Sequence, residues 1–215
     1  MEKIVDLLNT AKKQAGITLL CIFLLGISCK KETSSNTAPP PPPPPPPPVL
    51  DSVSIFGTQK PVGITENDST TGGIFGIELG VKFHSSANAN VVAVKFYKTK
   101  GNNGAHTAQL YTKDGTLLAS QVYQTETDSG WQTLFLTVPV PINANTTYIA
   151  AYFSSLGNYV STAYGLKTAV TNGVLTALAD SADGLNGVYK YTNSPSIPDS
   201  SNKSNNYWVD VIVSH

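Results

Sequence analysis

From Ser54 to Val213, apolar and polar positions alternate in short runs cut by clusters of Gly, Asn, Asp and Pro. Leu79, Val81 and Phe83 take every second position, as do Val92, Val94 and Phe96, with Lys95 and Tyr97 on the opposite parity. Leu134, Leu136 and Val138 alternate with Thr133, Phe135 and Thr137. A period of two belongs to a strand with one buried face. Between the apolar runs Leu110–Thr112 and Thr116–Gln121, Lys113-Asp114-Gly115 predicts a hairpin, since Asp-Gly tolerates the positive φ of a tight turn. With Thr147–Phe153 and Tyr207–Val213, the pattern predicts about eight to ten strands. Only Val174–Ala182 leaves room for a single helical turn. Pro139 and Pro141 should end one strand, because proline cannot donate to a ladder. Evenly spaced strands without helices predict an all-β fold, an antiparallel β-sandwich of the jelly-roll or immunoglobulin-like kind.

The pattern is different before Ser54. Ile17–Ser28 is an apolar run behind Lys12 and Lys13. It is shorter than the roughly 20 residues a spanning helix needs, but it suits the apolar region of a signal peptide. The run closes on Leu25-Gly26-Ile27-Ser28-Cys29. This resembles a lipobox, with a small residue before the cysteine and Leu one place further back than usual. Cys29 is therefore the expected lipidation site, and an anchor of several acyl chains holds stably where one would be marginal. Residues 1–28 read as a lipoprotein signal peptide, 29–49 as a linker and 50–215 as the folded domain. The linker contains ten consecutive prolines, Pro39–Pro48, which would form a stiff polyproline II spacer of about 31 Å.

Charge narrows the function. The 14 basic residues are all Lys, against 14 acidic ones, and charged residues make up 13% of the 215. A near-neutral chain without Arg is poorly equipped for nucleic acid, which needs clustered cations and favours guanidinium. Both Cys, Cys21 and Cys29, precede the domain, so the domain has no disulfide, thiol nucleophile or Cys-ligated metal.

Seven short motifs run in order through the domain. They are Ser54-Ile55-Phe56-Gly57, Glu78-Leu79-Gly80-Val81-Lys82-Phe83, Gly104-Ala105-His106-Thr107, Gly130-Trp131-Gln132, Thr147-Tyr148, Asn186-Gly187-Val188-Tyr189 and Asn206-Tyr207-Trp208-Val209-Asp210-Val211. Together they resemble the bacterial domain-of-unknown-function family numbered 4082, from about Ser54 to Val213. That family is found in secreted and surface proteins. The resemblance implies a β-sandwich that contacts carbohydrate or matrix and has no catalysis of its own. At Gly157-Asn158-Tyr159 this chain has Asn158 where the family pattern carries His.

No catalytic motif is present: there is no Gly-x-Ser-x-Gly elbow and no His-Glu-x-x-His. Glu78 and Asp210 sit mid-strand and are expected to accept structural hydrogen bonds or to pair with Lys82. The alternatives are a structural Ca²⁺ site using Glu78, Asp210 and Asp68, or a glycosidase carboxylate pair. No other cofactor is expected. His106 opens a strand after a turn, as a hydrogen-bonded residue or a ligand contact. Trp131 and Trp208 are assigned to the core. Tyr159, Tyr164 and Tyr191 fall in loops rich in Ser, Asn and Gly, with Asn158, Asn193 and Asn205 nearby. Sugars stack their apolar faces on exposed rings, so these tyrosines and Asn158 are the candidate ligand site. Asp51-Ser52-Val53, Asp68-Ser69-Thr70 and Asp180-Ser181-Ala182 match a bacterial O-glycosylation pattern.

These readings combine into a monomeric, non-catalytic binding module in the cell envelope. It would be an outer-membrane lipoprotein, surface-exposed or facing the periplasm, contacting neutral glycan or matrix. The alternative is a structural or adhesion component that binds another surface protein. A glycoside hydrolase is the third choice.

Overall fold

The structure is a computed structural model that describes residues 51–62 and 76–215, together with the backbone of Thr65–Glu66. The signal peptide, Cys29, the proline run and Asp68 lie outside the described residues.

Fourteen strands and no helix occur among the described residues. They are β1 (Ser52–Ser54), β2 (Thr65–Glu66), β3 (Ile77–Ser85), β4 (Ala89–Lys98), β5 (His106–Thr112), β6 (Leu117–Val122), β7 (Gly130–Ile142), β8 (Tyr148–Ser154), β9 (Val160–Ser161), β10 (Val170–Asn172), β11 (Leu175–Ala177), β12 (Val188–Tyr191), β13 (Ser200–Ser201) and β14 (Val209–Ser214). One sheet has the order β1-β14-β4-β7. The other large sheet runs β10-β11-β3-β8-β5-β6, with β12 pairing both β3 and β13, and β2 pairs with β9 in a separate two-stranded sheet. All pairings are antiparallel, and the two sheets pack as a sandwich.

The period of two explains the core. Leu79, Val81 and Phe83 from β3 meet Val94 and Phe96 from β4, Leu134 and Leu136 from β7, and Val209, Val211 and Val213 from β14. Phe96 stacks on Tyr152 of β8 at 4.3 Å between ring centroids. The predicted hairpin joins β5 to β6, with Gly115 at φ +93°.

Four local expectations need correction. Val92 is not a core residue: Val91 is buried instead, and the ladder shifts register between Val91 and Ala93. Across that shift Leu136–Pro139 stand opposite Val92 alone, so Val138 turns outward. The shift reverses facing along β4, where Ala89 and Val91 meet the core on the opposite parity to Val94 and Phe96, whereas β7 is back on its original parity at Ile142. Secondly, β7 runs through Pro139 and Pro141. It is an edge strand, where a missing N–H on the open side breaks no ladder. Thirdly, Val174–Ala182 contains β11 and no helical turn. Fourthly, Trp131 is half-buried on the outer face of the four-stranded sheet, where Nε1 donates to the Gln59 carbonyl. Trp208 is buried as expected.

One side of β3 is shared by β12 along Ile77–Gly80 and β11 along Phe83–Ser85. Asn186 fills the gap between them. Its Oδ1 accepts the Lys82 N–H at 2.8 Å, and its Nδ2 donates to the carbonyls of Lys82 and Leu178 at 3.0 and 2.7 Å. One side chain thus completes the ladder, so buried backbone groups stay paired. Gly187 follows at φ +67°, and a Cβ there would lie 2.0 Å from the Asn205 carbonyl oxygen.

Candidate functional site

Strand parity decides where the two suspected carboxylates go. Ile77 and Leu79 point into the core, so Glu78 between them points out of the eight-stranded sheet. By the same argument Asp210, between Val209 and Val211, points out of the four-stranded sheet. The two therefore lie on opposite outer faces, each beneath its own covering segment. They form neither a glycosidase pair nor a common Ca²⁺ site. Among the described residues no group of three or more His, Cys, Asp or Glu side chains could hold a metal.

The Asp210 carboxylate is filled by the protein. Oδ1 accepts the N–H groups of Ile55 at 2.8 Å and Val211 at 2.7 Å. Oδ2 accepts Phe56 N–H at 3.2 Å and Lys95 Nζ at 3.1 Å. The Lys95 ammonium also lies 4.3 Å from the centroid of the Trp131 ring, a cation–π contact. Burial pushes the Asp210 carboxyl upward, outweighing the downward pull of Lys95 and the backbone donors.

Among the described residues Glu78 pairs with no cation: Lys82, its expected partner, donates instead to the Asp183 carbonyl. The segment Thr192–Asp199 crosses above Glu78, and Ser196 N–H donates to its Oε2 at 3.3 Å. With its amide nitrogen assigned toward Glu78, Gln109 donates to Oε1 at 2.5 Å and to the Thr107 carbonyl at 2.9 Å. Ile197 of the same segment closes a small apolar cluster with Tyr111, Ile149, Ala151 and Val188. Burial pushes the Glu78 carboxyl to about 9, slightly offset by the Ser196 N–H. A carboxyl in that range is neutral at pH 7.

His106 is wholly buried, so it touches no ligand at the surface. Its Nδ1 lies 2.9 Å from Glu126 Oε1, and Lys98 Nζ lies 2.7 Å from Glu126 Oε2. This chain ties the loop after β6 to β5 and β4. Burial lowers the basicity of His106, partly countered by Glu126.

Rings gather elsewhere. Tyr159 meets Tyr207 at 5.7 Å, Tyr207 meets Tyr189 at 6.2 Å, and Tyr189 meets Tyr191 at 5.6 Å, all edge to face. This makes a row of four rings. Tyr189 and Tyr191 share one face of β12 because they are two residues apart, opposite Leu79 and Ile77 of β3. Tyr207 anchors the row from the segment entering β14 and is buried; Tyr191 ends it, 44% exposed. Nearby, the buried Asn205 Oδ1 has no hydrogen-bond partner.

The structure thus links two of the three candidate tyrosines, Tyr159 and Tyr191, through two residues that were not candidates. Tyr164 is 60% exposed and makes no ring contact among the described residues; it sits at φ +60° in a turn where its N–H donates to the Lys203 carbonyl. Asn158 is half-buried beside Tyr159, and its carbonyl accepts the Ser154 hydroxyl at 2.8 Å. Tyr189 and Tyr207 could have been found in the sequence. Tyr189 is two residues from Tyr191, and Tyr189 and Tyr207 both belong to the ordered motifs.

No curated protein matches the chain. The family model described as a domain of unknown function (DUF4082) matches residues 61–209, from beside the first strands to the start of β14, and the chain belongs to that family.

Proposed function

We propose that the domain is a non-catalytic binding module, held at the cell envelope by a lipid on Cys29, that takes a neutral glycan on the row of Tyr159, Tyr207, Tyr189 and Tyr191. The observation that carries this reading is the row itself. Aromatic rings that run to the surface at one place offer a sugar's C–H face a stacking platform. The unpartnered Asn205 Oδ1 supports it, as a buried acceptor suited to a ligand hydroxyl. The absence of Arg favours neutral over sulfated or sialylated sugars. The buried carboxyls Glu78 and Asp210, on opposite faces, lend no support to hydrolysis.

The test is a glycan array followed by affinity measurement on the best neutral glycan. Tyr191→Ala should weaken binding by about tenfold, the worth of a stacked ring. The melting temperature should hold, because Tyr191 is exposed. Binding should change little with salt. Failure to bind any glycan, or full binding by Tyr191→Ala, would refute the reading. Contact with another protein is the second reading, and a different surface supports it: the exposed apolar residues Leu117, Val122, Phe135 and Val138 on β6 and β7.

A further inference from the structure

The segment that covers Glu78 is held more loosely than the strands beneath it. Residues 192–199 join β12 to β13 and form no strand. Their ends are tied: Thr192 N–H donates to the Gly76 carbonyl at 3.0 Å, and Asp199 N–H to the Tyr189 carbonyl at 3.3 Å. Between those ends, among the described residues, one hydrogen bond reaches the rest of the domain, from Ser196 N–H to Glu78. Pro195 and Pro198 have no N–H to add, and Ser196 Oγ is buried without a partner. Asn193, Ser194 and Pro195 are exposed. A short loop with tied ends and few bonds opens ahead of the sheet under it.

This strap nevertheless has a fitted seat. Ile197 closes on Tyr111, Ile149, Ala151 and Val188. Gly115 in the β5–β6 turn leaves room for it, since a Cβ there would lie 2.9 Å from Ile197 Cδ1. The strap shuts in an acid without a counter-ion. Lys190 stands directly opposite Glu78 in the β12–β3 ladder, but its ammonium bonds Asp199 of the strap at 2.7 Å. That pair faces solvent and holds the strap weakly. Lys82 is turned to the Asp183 carbonyl. From β8 the facing residue is Phe153 and from β5 it is Gln109, neither of them charged. Tyr111 and Tyr152 lie in the field of Glu78, and burial keeps both phenols protonated.

We propose that residues 192–199 are a proton-linked strap, which closes over Glu78 in its protonated form and lifts as Glu78 gives up the proton. Lifting uncovers the apolar floor of Tyr111, Ile149, Ala151 and Val188. It also separates Asp199 from Lys190, which is then free to meet the carboxylate across the ladder, where opposite charges attract. Closed, the carboxyl titrates at about 9, and opened into water it returns toward 4.5. A proton held more tightly in the closed state favours closure at low pH. Opening therefore grows about tenfold per pH unit between those two values, or about a hundredfold from pH 6 to pH 8. The inference does not rest on glycan binding.

The test is hydrogen exchange on the full chain, read by mass spectrometry of peptic fragments. Rates are divided by those of the same unstructured peptide at each pH, which removes the pH dependence of the exchange chemistry itself. The amides of Ser196 and Asp199 should exchange well ahead of β3 and β8, and about a hundredfold faster at pH 8 than at pH 6. Glu78→Gln should abolish that rise, because the amide does not titrate. Ile197→Ala should speed strap exchange at both pH values and keep the rise. Strap amides that exchange only together with β3 and β8 would show that no separate strap motion exists. A corrected rate that does not change with pH, or a rise that survives Glu78→Gln, would remove Glu78 as the proton site. The unaltered chain alone decides the first two points, even if Glu78→Gln failed to fold.

Discussion

Replacing Glu78 by Gln should stabilise the protein at neutral pH and weaken it in acid. The folded carboxyl titrates at about 9, against an ordinary value of 4.5. Below 4.5 the group is protonated in both states and burial carries no ionisation penalty. Between 4.5 and 9 the unfolded chain ionises while the folded one keeps its proton. Stability therefore falls as pH rises through this window, by about 1.4 kcal/mol per pH unit. By pH 7 the loss is about 3 kcal/mol, and a neutral Gln removes it. The substitution also turns an amide NH₂ or forces a rearrangement where Oε2 accepts Ser196 N–H, which costs about 1 kcal/mol. The net gain is then about 2 kcal/mol at pH 7, and a net loss of about 1 kcal/mol remains at pH 4.5. The sign should reverse between about pH 5 and 6. Urea unfolding read by fluorescence of Trp131 and Trp208 across this range measures it. A Glu78→Gln variant that is weaker at every pH, with a parallel pH profile, would show that Glu78 is ionised in the fold and that the reasoning is wrong.

Two further outcomes follow from the other carboxyl and from the proposed anchor. Asp210→Ala leaves Lys95 charged and buried and strips acceptors from Ile55 and Phe56, so urea unfolding should show a loss of roughly 3–5 kcal/mol; a loss below about 1 kcal/mol would mean that water replaces the carboxylate. Cys29→Ala should move the protein out of the membrane fraction or leave an uncleaved precursor, and unchanged fractionation with an unchanged mature mass would remove the lipid anchor from the proposal.

The sandwich was legible because its core obeys a period of two over most strands. Leu79, Val81 and Phe83 needed only that rule, and Asp114-Gly115 fixed its hairpin by local conformation alone. The errors fall where one residue more or less changes facing. Nothing in the run from Val91 to Phe96 marks the register shift at Val92, because every candidate is apolar or neutral to the choice. Pro139 and Pro141 misled for a related reason. Whether proline ends a strand depends on which side of the sheet is empty, and that is decided by strands more than 40 residues away, as β7 shows by leaving its outer side open.

The candidate sites show the same limit more sharply. Parity in the sequence already sends Glu78 and Asp210 away from the core, but it cannot say what covers them. Cover comes from Ile55–Phe56 in one case and from Thr192–Asp199 in the other, segments 154 and 118 residues distant from the groups they bond. Each carboxyl is thereby removed from solvent, so the residues that read most like chemistry become part of the scaffold. Rings behave in the opposite way. Trp131, which read as core, lies outside the sheet because strand parity puts it beside Lys95 and Tyr97. Tyr191 read as a loop residue and Tyr189 as part of a motif, yet both lie on one short strand, where two-residue spacing brings them together, and Tyr207 and Tyr159 extend the line. A polar residue mid-strand thus needs its cover before a role can be assigned. An aromatic pair on a short strand needs only its parity, and that is why the glycan proposal rests on the tyrosine row and on neither buried carboxyl.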